Sequence, residues 1–71
     1  MQYNLVVLRM KHKLTQRDMA KIIGSNVDSY GRKERGELQF KGDEMFAISQ
    51  YFEKTMDEIF LPTNSINNAV N

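Results

Sequence analysis

Apolar residues recur along the chain at helical spacing. Leu5 and Leu8 share one face of a first segment, and Met19, Ile22 and Ile23 share one face of a second. Met45, Ile48, Phe52, Met56 and Ile59 carry the same spacing through the last third. No alternating run of β-branched and polar residues competes with it, and the single proline, Pro62, falls after it. Caps and breakers then set the boundaries. A first helix runs from roughly Gln2 to Lys13. Thr15-Gln16-Arg17-Asp18 opens a second as a capping box, in which the threonine oxygen takes the third amide and the acid reaches back. Gly24 stops that helix, because the left-handed position after a helix costs glycine least. A third helix starts at Ser25 or Asn26, both capable caps, and runs to Arg35 before Gly36 ends it in the same way. Residues 37 to 42 form a loop whose Leu38 and Phe40 are expected to tuck inward. A break near Lys54 and a second capping box at Thr55-Met56-Asp57-Glu58 divide the remaining pattern into fourth and fifth helices.

The expected architecture is therefore all-α, a compact domain of five helices over residues 1–61. A polar, asparagine-rich and flexible tail follows at 62–71. Met19, Ile23, Met45, Phe46, Ile48, Phe52 and Phe60 are expected to fill the core and interfaces. Self-association is assigned to the fifth helix and tail, through Ile59, Phe60, Leu61, Ile66 and Val70.

Size and composition narrow the function. A chain of 71 residues buries only about 60% of its unfolded surface. That excludes a deep catalytic pocket, a doubly wound sheet and a two-domain plan. With no cysteine there is neither a disulfide framework nor a thiolate metal site, and one histidine, His12, cannot hold zinc alone. No nucleophile–base pair, ligand cluster or phosphate loop suggests an enzyme, and no cofactor is expected. The longest apolar run, Leu5 to Leu8, is far too short for a membrane span or a signal-peptide core, so a soluble cytoplasmic domain is expected.

Charge adds a direction. The net charge is +1, yet residues 1–36 carry eight basic side chains against three acidic ones, and residues 37–71 carry two against six. A basic half of this kind suits a polyanion; scattered surface charge is the alternative. Two short helices separated by little more than Gly24-Ser25-Asn26 fit the helix-turn-helix, whose second helix can enter a DNA major groove.

The order Leu14-Thr15-Gln16, Ala20, Ile23-Gly24, Tyr30, Glu34, Gly36 and Met56-Asp57-Glu58-Ile59-Phe60 resembles the Cro and lambda-repressor-like (XRE-type) helix-turn-helix family. The resemblance runs without a gap from about Leu5 to Phe60. The stretch from Tyr30 to Gly36, followed by Phe40 and Asp43-Glu44-Met45, is similar to small regulators carried by phages and integrated elements of Gram-positive bacteria. Four departures stand out. Ser25 replaces an apolar turn residue, Glu53-Lys54 replaces a Gly-Val turn, and Glu37 falls where relatives carry basic residues. Gly31 sits inside the third helix, either as clearance for DNA or as a tolerated surface glycine.

The resemblance implies a sequence-specific DNA-binding transcriptional regulator, a repressor, reading operator DNA with its third helix as a homodimer. Its base-reading positions fall on Val27, Asp28, Ser29 and Arg32. Arg32 suits guanine O6 and N7, and Val27 a thymine methyl. Asp28 either accepts from cytosine N4 or favours the helix dipole. Ser29 either meets a base or satisfies a first-turn amide. Phosphate positions fall on Gln16, Arg17, Asn26, Lys33 and Arg35. Arg9 and Glu34 match an ion pair that ties the first helix to the third. A different class stays open, a protein-interaction module of the same fold, such as an antitoxin or a regulator-binding partner.

Overall fold

The structure is a computed structural model that describes residues 1–60. Among them are α1 (Tyr3–Lys11), α2 (Gln16–Ile23), α3 (Val27–Arg35), α4 (Gly42–Phe52) and α5 (Met56–Ile59), and no strand. The tail expected at 62–71, with Leu61, Ile66 and Val70 of the expected self-association surface, lies outside the described residues.

The caps act as their residue types dictate. Thr15 Oγ1 accepts from the Asp18 amide at 3.1 Å, and the Thr15 amide donates to Asp18 Oδ2 at 2.9 Å. Thr55 and Glu58 repeat the arrangement at 3.2 and 2.8 Å, starting α5. Asn26 Oδ1 accepts from the Ser29 amide at 2.7 Å, which makes Asn26 rather than Ser25 the cap of α3. Gly24 and Gly36 close α2 and α3 with φ of 70° and 88°. The Ser25 and Glu37 amides then return to the Ala20 and Arg32 carbonyls, each at 2.8 Å.

Two helices end in the same way without glycine. α1 stops at Lys11, two residues short of the expected Lys13, because Lys13 itself adopts φ 57° and the Leu14 amide turns back to the Arg9 carbonyl at 3.1 Å. Between α4 and α5, Glu53 takes φ 56°. There the Lys54 amide reaches the Ser49 carbonyl at 3.1 Å, and the Ser49 hydroxyl donates to the Lys54 carbonyl.

Every helix contributes to one core: Leu5 and Leu8 from α1, Met19 and Ala20 from α2, Tyr30 from α3, Ile48 and Phe52 from α4, and Ile59 from α5. Leu14, Ile22, Ile23, Phe40 and Phe60 pack against it. Phe40 sits edge-on between Tyr30 at 5.9 Å and Phe60 at 5.1 Å, so the loop before α4 is pinned by its aromatic ring. Leu38, expected inward beside it, is 43% exposed, because Phe40 alone occupies the inward place. Phe46 is also corrected. It is 55% exposed, since a 100° step per residue carries it to the side of α4 opposite Ile48 and Phe52. His12 is exposed, yet its ring lies edge-on against Phe52 at 4.9 Å.

Candidate nucleic-acid interface

α3 divides its charged residues by direction. Tyr30, Gly31, Lys33 and Glu34 are buried, whereas Asp28, Arg32 and Arg35 fall at helical spacing on one exposed stripe. Val27 and Ser29 are half-buried at its N-terminal end.

The buried side is a network around Glu34. Arg9 of α1 donates from Nε to Glu34 Oε2 at 2.8 Å and from Nη2 to Oε1 at 3.3 Å. Gln16, the first residue of α2, donates from Nε2 to Oε1 at 2.9 Å, and the Tyr30 hydroxyl donates to Oε2 at 2.7 Å. Arg9 also reaches the Leu14 carbonyl at 3.0 Å, holding the segment that leads into α2. One carboxylate therefore ties α3 to α1 and α2 together. Burial opposes its ionisation, and the hydrogen bonds from Arg9, Gln16 and Tyr30 outweigh that, so the Glu34 carboxyl titrates below its ordinary value of 4.5. Burial, reinforced by the bond to Glu34, pushes the Tyr30 phenol well above its ordinary range.

A second buried pair lies on the next residue. Lys33 Nζ donates to Glu44 Oε1 and Oε2 at 2.7 and 2.6 Å, with only 10% and 9% of the two side chains exposed. Glu44 Oε1 also accepts from the Lys41 amide at 2.9 Å, so this carboxylate starts α4 as well as tying it to α3. Burial opposes ionisation of Glu44, and the bonds from Lys33 and Lys41 overcome it, holding its carboxyl low. Lys33 was expected to contact phosphate. The structure holds it on Glu44, and leaving Glu44 would strand a buried carboxylate at several kcal/mol.

The exposed stripe is built differently. Arg32 Nε lies 3.3 Å from Asp28 Oδ2, with 52% and 73% of the side chains exposed. Arg35 Nε donates to Glu37 Oε2 at 2.8 Å, also at the surface. That bond lowers the Glu37 carboxyl and raises the Arg35 guanidinium. Such pairs are worth little in water and exchange readily. Gln16 adjoins the stripe across Gly31. Arg17 is exposed in the first turn of α2, and Asn26 is exposed at the cap of α3. The structure thus gathers Gln16, Asp28, Arg32 and Arg35 on one surface, brings Arg9 and Glu34 together beneath it, and sets Lys33 apart.

Sequence reasoning missed four of these features. Tyr30 and Glu34 stand four apart on one helix, a spacing that could have shown their bond. Lys33 and Glu44 lie on different helices with no register between them, and Gln16 and Glu34 likewise, so tertiary packing alone pairs them. Gly31 is not a surface glycine. It is buried beneath the side chains of Gln16 and Arg35.

This is the architecture of a helix-turn-helix DNA-binding domain, with α2 as the supporting helix and α3 presented outward. A family model described as helix-turn-helix matches residues 7–59, three-quarters of the chain. The chain belongs to the XRE-type helix-turn-helix family, a family of DNA-binding transcriptional regulators. No curated protein and no solved structure matches it. Among the described residues, no helix is long and apolar enough to cross a membrane, and no cluster of acids and histidine could hold a metal ion.

Proposed function

We propose that the chain is a sequence-specific repressor that lays α3 in the major groove of operator DNA and binds as a homodimer. The observation that carries the reading is the outward stripe of α3, which leaves Arg32 and Arg35 at the surface beside Gln16 while the rest of the helix is anchored from behind. Arg32 reads guanine through two guanidinium hydrogen bonds, and Asp28, Val27 and Ser29 supply the neighbouring contacts. Gln16, Arg17, Asn26 and Arg35 hold phosphates, from side chains at the openings of α2 and α3 and the C-terminal end of α3. One domain of this size offers few base contacts, so two copies on a pseudo-palindrome supply the discrimination. The segment from Tyr30 to Gly36 with Phe40 and Glu44 supports an origin among regulators of phages and integrated elements.

Selection of bound sequences from a random duplex pool tests this reading. The expected result is a two-fold symmetric consensus with half-sites one helical turn, about 10 base pairs, apart. A reporter promoter carrying that consensus should fall in output when the chain is expressed. Recovery of unenriched DNA would overturn sequence-specific reading, and a rise in reporter output would overturn repression.

A further inference from the structure

Gly31 stands in the middle of α3, where glycine weakens a helix and where the backbone needs none. Positive φ among the glycines occurs only at Gly24 and Gly36. The space it leaves is specific. A Cβ at this position would lie 3.2 Å from Arg35 Nη1 and 3.3 Å from Gln16 Oε1, closer than side chains comfortably pack. Two polar side chains from different helices therefore converge on the one patch of α3 that has no side chain. Each is also held from its other end. Gln16 Nε2 is bonded to Glu34 at 2.9 Å, and Arg35 Nε to Glu37 at 2.8 Å. The Gln16 amide nitrogen carries a second hydrogen, and the guanidinium carries donors beyond Nε. Gln16 turns its Oε1 and Arg35 its Nη1 toward Gly31, and the donors that remain on the two groups suit an oxygen-rich anion.

We propose that Gly31 is a positioning residue for DNA binding, its missing side chain letting Gln16 and Arg35 close over α3 as a joint clamp on one stretch of phosphate backbone. The inference rests on the reading of Gln16 and Arg35 as phosphate contacts. A Cβ at Gly31 leaves the core untouched and parts the two arms of the clamp, so folding and binding respond in opposite directions.

The test uses the full chain carrying Gly31→Ala, Gln16→Ala or Arg35→Ala, and Gly31→Ala combined with each of the others. The first readout is the side-chain cross-peaks of the Gln16 amide and the Arg35 Nε–H in the free protein. The second is affinity for a short mixed-sequence DNA duplex in low salt, where phosphate contacts dominate. Gly31→Ala should move both cross-peaks, hold or raise Tm, and weaken duplex binding roughly five- to tenfold. In the Gln16→Ala or Arg35→Ala background the same substitution should cost less than about twofold. Unmoved cross-peaks, a lowered Tm, or moved cross-peaks with wild-type affinity would each overturn the role of Gly31. Wild-type affinity in both Gln16→Ala and Arg35→Ala would instead overturn the phosphate reading beneath it.

Discussion

The two sides of α3 carry the same chemistry to opposite ends. Inward, Lys33 and Glu34 pair with Glu44 and Arg9 across helix boundaries, at 2.6 and 2.8 Å, with little of either pair exposed. Outward, Arg32 and Arg35 pair with Asp28 and Glu37 within a few residues of themselves, and all four remain open to water. Burial makes the difference. A charge withdrawn from water cannot change partners without a large desolvation cost, so the inward pairs fix where α3 sits. A solvated pair is held by about 1 kcal/mol or less, so the outward arginines can exchange a carboxylate for a phosphate or a base edge. Charge sign along the sequence says nothing about this division. Helical direction and the packing of α1, α2 and α4 decide it.

Removing Glu34 should have the largest effect. Glu34→Ala leaves the Arg9 guanidinium and the Tyr30 hydroxyl without their partner, and should cost about 3–5 kcal/mol in denaturant unfolding. Glu37→Ala removes an exposed partner and should stay within about 0.5 kcal/mol. Equal losses from the two would erase the distinction between inward and outward pairs.

Acid provides a graded version. Glu34 and Glu44 titrate below the ordinary 4.5 because their hydrogen bonds to the charged form outweigh burial. A lowered folded-state value adds stability that is fully present above the unfolded value and is lost as pH falls through the folded one. The stability difference between the native chain and Glu34→Gln should therefore be constant near neutrality and narrow as pH drops below 4.5. Thermal melts across that range check it; a gap that persists unchanged would place Glu34 in an ordinary solvated setting.

The outward face predicts the reverse split between folding and binding. Arg32→Ala should leave Tm nearly unchanged while costing about 1–3 kcal/mol on the selected operator and little on scrambled DNA. Equal losses on both duplexes would make Arg32 a phosphate anchor and return base reading to Val27, Asp28 and Ser29. Smallest of all, Glu53→Gly should raise stability by about 1 kcal/mol, because Glu53 holds φ 56° at a helix end that glycine occupies without strain. Denaturant unfolding measures it directly.

How legible these features were depended on the range of the interaction that makes them. Both capping boxes, the Asn26 cap and the stops at Gly24 and Gly36 are local chemistry, and residue order reveals them. The end of α1 falls short of the expected one because Lys13 takes a left-handed conformation that residue type does not announce. Phe46 looked like core by composition, but its angular position on α4 puts it outside. At the interface, the stripe of Asp28, Arg32 and Arg35 follows from spacing on one helix. Neither the withdrawal of Lys33 toward Glu44 nor the covering of Gly31 by Gln16 does, because each depends on a side chain from another helix.

Lys33 and Arg32, adjacent cations on one helix, are expected to have separate duties. The most direct measurement replaces the buried pair as a unit, by Lys33→Met with Glu44→Gln, where the glutamine can still accept from the Lys41 amide. Replacing a buried pair by groups of similar volume is often close to neutral, so the double variant should fold. Its affinity for operator and scrambled duplex, followed over a salt series, should match the native chain in both value and slope. Weaker binding to both duplexes, with a salt slope shallower by roughly one counterion, would mean that Lys33 reaches phosphate and that the division of α3 is wrong.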